Sequence, residues 1–149
     1  MDNSINKEFD SLKLENQLCF SIYAASRLMT RLYQPYLDRL GITYPQYLVL
    51  LILWERDGIS VNEIGAKLYL NTNTLTPLLK RLEHLSFIKR IKCCKDERKV
   101  LIYLSEEGKK LKLAAKSIPH EMANSLECTH EKARCLKQEL EILINHMLK

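Results

Sequence analysis

Apolar side chains between Leu14 and Leu40 fall at Leu14, Leu18, Ile22, Ala25, Met29, Leu32 and Tyr36. Spacings of three and four keep them on one helical face, so the pattern predicts one long helix here, with Pro35 as a point of bending or breakage. Gly41 supplies a stop signal, and Thr43, ahead of Tyr44-Pro45, an N-cap for a second helix reaching about Glu55. From Tyr47 to Trp54 that helix is apolar nearly all round, which marks it as the buried centre of the fold.

After Asp57-Gly58 the run Ser60-Val61-Asn62-Glu63 is a capping box, in which hydroxyl and carboxylate satisfy orphan amides reciprocally. A short helix to about Leu68 and a turn over Tyr69 to Thr72 lead into a helix striped by Leu75, Leu78, Leu79, Leu82 and Leu85. Two short helices joined so tightly predict a helix-turn-helix. With the leucine stripe facing inward, Asn73, Thr74, Thr76, Lys80 and Arg81 face outward: hydrogen-bonding groups followed by cations, the chemistry that reads base edges and clamps phosphates. Pro77 removes one amide donor near the start of this helix. Phe87 to Lys92 and Lys99 to Leu104 are β-rich and bracket a polar stretch from Cys93 to Arg98, a hairpin with a cationic tip. That order of elements is the winged form of the motif, with one helix in a major groove and a wing on the backbone or minor groove.

Beyond the wing, Ser105-Glu106-Glu107 opens a helix to about Lys116, Pro119 restarts the chain, and Leu126 to Leu148 reads as helix with Leu136, Leu140, Leu143 and Met147 on one face. A small winged domain does not need these terminal stripes for its own core. They predict a homodimer whose ends interlock and carry two recognition helices ~34 Å apart, matching successive major grooves of a palindromic duplex. The expected fold class is therefore mainly α with a small β-hairpin, a winged helix-turn-helix with N- and C-terminal dimerisation helices. The expected division is 1–43, 44–104 and 105–149.

Charge sharpens this picture. Between Ser60 and Leu104 nine basic residues face four acidic ones, which accounts for the whole net charge of +5. A basic middle between neutral ends is the footprint of a nucleic-acid-binding module, and equally of a solvated basic surface. Five cysteines, two of them adjacent, argue against a secreted disulfide framework. With no signal-peptide pattern and no long uncharged apolar run, a cytoplasmic protein with reduced thiols and no membrane contact is expected. The cysteines and His84, His120, His130 and His146 show no zinc-type spacing, so no metal and no cofactor are expected.

Asn73 to Glu83, Asn-Thr-Leu-Thr-Pro-Leu-Leu-Lys-Arg-Leu-Glu, and Asp96-Glu97-Arg98 in the wing resemble the MarR family of regulators. Leu14 to Phe20, Leu-Glu-Asn-Gln-Leu-Cys-Phe, and Leu40 to Tyr47, Leu-Gly-Ile-Thr-Tyr-Pro-Gln-Tyr, are similar to the organic-hydroperoxide-sensing repressors within that family, up to about Pro119. The resemblance implies that Cys19 is the redox-sensing thiol, with Tyr33 and Tyr44 donating hydrogen bonds to its sulfur, one of them from the partner subunit. Phenolic donors favour the thiolate, the nucleophile that attacks a peroxide. The resulting sulfenic acid condenses with a thiol or oxidises further, and the packing change releases DNA. The resemblance further implies that Asp96 positions the loop while Arg98 reaches the minor groove; Lys95 and Lys99, basic residues of the same hairpin, are expected DNA contacts as well.

There are departures. Disulfide-forming relatives place a second cysteine five residues after the proline corresponding to Pro119, and here that residue is Asn124. Cys128 is one turn further on, a less favoured resolving partner than a small cellular thiol. Asn71-Thr72-Asn73 replaces a more usual Asp-Ser-Gly. Two other readings stay open: a MarR-type repressor released by a small aromatic ligand, with Cys19 an inert buried hydrophobe, and a thiol peroxidase. The peroxidase lacks a well-placed recycling cysteine and a general base, so no enzyme is expected.

Overall fold

In the computed structural model, which describes residues 9–94 and 96–149, the first long helix, α1, runs Leu18–Leu40 rather than from Leu14. Two 3-10 turns, Asp10–Leu12 and Leu14–Asn16, precede it. Side-chain amides explain the delay. Asn16 Nδ2 donates to the Asp10 carbonyl at 2.7 Å, and Gln17 Nε2 to those of Ser11 and Lys13, which gives the backbone a local alternative to the helix. Pro35 sits within α1 without ending it. Gly41, at φ 67°, ends it: its N–H bonds to the Asp38 carbonyl and that of Ile42 to Leu37, a Schellman closure that glycine makes without steric penalty.

Helix α2, Tyr44–Glu55, opens as expected, with the Thr43 N–H donating to the buried Gln46 Oε1 at 2.8 Å. Its Tyr47, Val49, Leu50 and Leu53 form a core with Leu37, Ile64, Leu75, Leu79, Leu82, Ile88 and Ile102. Helix α3, Val61–Leu68, carries the anticipated capping box: Ser60 N–H to Glu63 Oε2 at 2.9 Å, and Glu63 N–H to Ser60 Oγ at 3.2 Å. Bonds to that carboxylate, first the one from the Ser60 backbone and then that from its hydroxyl, with Arg56 adding to them, hold the Glu63 carboxyl below its ordinary range. The turn to α4, Thr72–His84, is made by Tyr69 in the left-handed region at φ 55°. Asn71 caps α4, its Oδ1 accepting from Thr74 N–H at 2.9 Å.

The sheet has three antiparallel strands in the order β1-β3-β2: β1 Ile59–Ser60, β2 Ile88–Cys93 and β3 Asp96–Leu104. The two-residue β1, paired through Ile59 with Ile102, was not anticipated, since so short a strand has no periodicity of its own. The hairpin is also tighter than its sequence suggested. Cys93 pairs with Asp96, so Asp96 and Arg98 lie on the strand with Lys99 and not in a loop before it. At the wing's root Asp57 Oδ1 accepts from Leu104 N–H at 2.8 Å, and the Trp54 indole donates to the Gly108 carbonyl at 2.9 Å, tying α2 to α5, Glu106–Ala115.

The chain divides into two compact units, Met1–Ala114 and Ala115–Lys149. In the second, α6 spans Ile118–Ser125 and α7 His130–Met147. The expected helix from Leu126 is interrupted, because Glu127 at φ 46° and the Thr129 N-cap, accepting from Lys132 N–H at 3.3 Å, reset the chain before α7. No helix among the described residues is long and apolar enough to cross a membrane.

Candidate functional site

Three phenols converge where α1 meets α2. The Tyr33 ring centroid lies 4.8 Å from that of Tyr44 and 5.9 Å from that of Tyr47, and Tyr47 continues edge-on to Trp54 at 6.2 Å. Burial pushes the Tyr33 phenol up to about 12, and the neighbouring Tyr44 and Tyr47 add to the shift. Burial raises Tyr44, and burial followed by Tyr44 raises Tyr47. All three therefore stay protonated at neutral pH, which keeps them O–H donors. Tyr47 and Trp54 were not anticipated as part of this cluster. The i, i+3 spacing of Tyr44 and Tyr47 was the available signal.

Cys19 is exposed in the first turn of α1 and is a free thiol. It shares that helix with Tyr33, fourteen residues further along, so at 1.5 Å per residue the two are ~21 Å apart along the axis. Because Tyr44 stacks on Tyr33, neither phenol reaches the Cys19 sulfur of its own chain. The expectation that one of the two comes from the same subunit is thus at odds with the helix geometry. Exposed apolar side chains run along α1 from the Cys19 end towards the phenols: Leu18, 66% exposed, and Ile22, then Leu28 and Leu32. In the second unit, α7 exposes Leu136, Ile142 and Met147. Cys128 is exposed in the turn before α7, and Asn124 is exposed on α6 with its side chain bonded to His120.

On α4, Asn73, Thr74, Lys80 and Arg81 are exposed and Thr76 is half-buried. The Thr74 hydroxyl is engaged, donating to Asn71 Oδ1 at 3.0 Å, so Asn71 organises the start of this helix. In the wing, Asp96 Oδ1 accepts from Arg98 N–H at 3.1 Å, and Lys99 is exposed. Lys95 lies outside the described residues. A tie unnoticed in the sequence joins helix to wing: Glu83, near the end of α4, accepts from Arg90 N–H on β2 at 3.1 Å. Two tightly joined helices presenting polar and cationic groups, followed by a basic hairpin that the short strand before them completes into a three-stranded sheet, define a winged helix-turn-helix regulator.

Comparison with known proteins narrows the class. Residues 31–114 match the family described as transcriptional regulator SarA/Rot. The organic hydroperoxide resistance transcriptional regulator of Bacillus subtilis (strain 168) is 48% identical over 140 residues, 94% of this chain and 95% of the relative. Reduced AbfR bound to DNA, a protein of Staphylococcus epidermidis, superposes with a TM-score of 0.76 at 37% identity, over 95% of this chain and 99% of that one. Its disulfide-formed state superposes less closely, with a TM-score of 0.65 at 37% identity over 98% and 100%. The chain belongs to the organic hydroperoxide resistance regulators of the MarR family.

Proposed function

We propose that this protein is a homodimeric, cytoplasmic transcriptional repressor, not an enzyme, that releases a palindromic operator when an organic hydroperoxide oxidises Cys19. The observation that carries the reading is the separation of thiol and phenols along α1. Cys19 stands exposed on an apolar surface at one end, and the neutral phenols are clustered ~21 Å away towards the other. Two such helices packed antiparallel about a two-fold axis bring each Cys19 to the partner subunit's Tyr33 and Tyr44, and the same packing buries Leu18, Ile22, Leu28 and Leu32. The phenols, held protonated by burial, then donate to the thiolate without competing for its charge.

Chemistry follows from that arrangement. The Cys19 thiolate attacks the terminal oxygen of ROOH, the O–O bond breaks, and RO⁻ leaves to take up a proton as ROH. Cys19 becomes a sulfenic acid, which a small cellular thiol caps as a mixed disulfide with loss of water. Cys128 is the alternative resolving thiol. The added group no longer fits between packed helices, so the helices shift and the spacing of the two recognition helices changes. The exposed Asn73, Thr74, Lys80 and Arg81, with Thr76 beside them, read the major groove, while Asp96 orders the backbone at Arg98 and the exposed Lys99 follows on the same strand of the wing. Lys95, next to Asp96 in the sequence, is counted with them among the DNA-contacting residues. The kinship with a hydroperoxide resistance regulator, and with AbfR in its reduced DNA-bound and disulfide forms, supports this reading.

A gel-shift titration with cumene hydroperoxide tests it. Wild-type protein should release a duplex selected from random sequence by the reduced protein, and Cys19→Ser should hold it. Equal release by both, or release by a small aromatic compound under reducing conditions with no peroxide effect, would overturn the proposal in favour of a ligand-released repressor.

A further inference from the structure

The two cysteines of the wing take no part in this scheme. Cys93 closes β2 opposite Asp96, Cys94 opens the connection to β3, and the ladder is irregular between Lys92 and Cys93. Cys93 is half-buried, Cys94 exposed, and both are free thiols. From Lys92 to Lys99 the sequence places four cations around them against Asp96 and Glu97.

We propose that Cys93 and Cys94 form a second thiol-redox site, a vicinal dithiol oxidised by small carboxylate-bearing disulfides, whose closure weakens DNA binding independently of Cys19. This rests on the wing being a DNA contact, as proposed above. The exposed Cys94, as thiolate, attacks one sulfur of RSSR. Its S–S bond breaks, Cys94–S–S–R forms, and RS⁻ leaves to take up the proton that Cys94 gave up. The Cys93 thiol then attacks the Cys94 sulfur, the second RSH departs, and a Cys93–Cys94 disulfide closes. Two protein thiols are oxidised and one small disulfide is reduced to two thiols, so no other oxidant is required. Lys92, Arg98 and Lys99, exposed on the two strands beside the pair, concentrate anionic disulfides there and repel cationic ones.

Closure has a structural consequence. Neighbouring Cα atoms are ~3.8 Å apart across a trans peptide, short of the roughly 4.4–6.8 Å usual for a disulfide. The ring draws Cys93 out of its extended pairing with Asp96. Asp96 is the residue whose carboxylate holds the Arg98 N–H, so the placement of Arg98 is lost with that pair.

The test uses the full chain carrying Cys19→Ser, Cys128→Ser and Cys135→Ser, which leaves the wing pair as its only cysteines. Intact mass and fluorescence anisotropy are followed on a duplex selected from random sequence by the reduced wild-type protein. Oxidised glutathione should remove the mass of two hydrogens, lower affinity about tenfold as the wing lets go of the phosphates, and act faster than cystamine; dithiothreitol should reverse both changes. Adding Cys93→Ser should leave glutathione bound at Cys94. Unmodified wing thiols, an adduct that persists with Cys93 present, or closure without loss of affinity would each overturn the proposal. If the reduced protein selects no duplex, it is the DNA-binding reading that fails, and the mass measurement still decides the dithiol chemistry.

Discussion

Replacing Gly108 by alanine tests how the wing's root is held. Gly108 is the third residue of α5, and a Cβ built on it lies 2.1 Å from the Phe87 carbonyl oxygen and 3.1 Å from Leu104 Cδ2. Real Cβ contacts essentially never fall below 3.0 Å and ordinary separation begins at 3.4 Å, so α5 and the Phe87 carbonyl just ahead of β2 must part by about 0.9–1.3 Å. The oxygen cannot simply swing away, because it accepts the Ser105 N–H at 3.0 Å. Moving α5 instead stretches the bond from the Trp54 indole to the Gly108 carbonyl, now 2.9 Å. Overpacking costs about 1–3 kcal/mol and the weakened bond about 1 kcal/mol more, a total of roughly 2–4 kcal/mol. For a chain of this length that corresponds to a fall in Tm of roughly 5–15 °C. Thermal unfolding at one fixed protein concentration measures it, with emission from Trp54, the single tryptophan, reporting the local displacement. Gly41→Ala is the control: it meets no atom within 4 Å and suffers only its φ of +67°. A Gly108→Ala protein that unfolds at the wild-type temperature with unshifted emission would refute the reasoning.

Three further predictions follow from the same geometry. Tyr69→Gly relieves a left-handed backbone at φ 55° while removing a side chain 64% exposed, and should raise stability by up to about 1 kcal/mol in urea unfolding. Because the folded Tyr33 phenol keeps its proton to about 12 while the unfolded one releases it near 10, stability is unaffected below pH 10 and falls as pH rises towards 12; Tyr33→Phe should flatten that fall in a pH series of thermal melts. Lys80→Ala should weaken DNA binding on all sequences and reduce the slope of log K against log salt by about 0.9 for each phosphate that Lys80 neutralises, measured by anisotropy at several salt concentrations; an unchanged slope would place Lys80 away from the backbone.

Where the sequence imposed a period or a cap, the fold was legible from it. The leucine stripe at Leu75, Leu79 and Leu82 is buried as read, and the Ser60–Glu63 box and the Gly41 stop stand where their chemistry demands. What escaped were competitions that periodicity cannot express. The Asn16 and Gln17 amides outbid the helix over Leu14–Asn16, and β1 exists only because β3 offers it a partner. Glu127 and Thr129 break an otherwise continuous helical pattern. At the site, Cys19, Tyr33 and Tyr44 could be named from the resemblance, but the place of Tyr44 against Tyr33 could not, since it depends on how α2 folds back onto α1. Tyr47 and Trp54 read as core residues, and Tyr47 is one; their place beside the phenols emerges only when α1 folds onto α2.

Sensing, on this mechanism, requires the thiol of one subunit to meet the phenols of the other, and mixed dimers measure this directly. One subunit carries Cys19→Ser with intact tyrosines; its partner keeps Cys19 but carries Tyr33→Phe and Tyr44→Phe. With Cys93, Cys94, Cys128 and Cys135 replaced by serine in both subunits, the sole thiol, Cys19, then faces wild-type phenols only if they come from across the interface. Stopped-flow oxidation by cumene hydroperoxide should proceed at the wild-type rate per thiol in this heterodimer, and far more slowly in the Tyr33→Phe/Tyr44→Phe homodimer. A heterodimer as slow as that homodimer would show that the phenols serve the thiol of their own chain, and would contradict the mechanism.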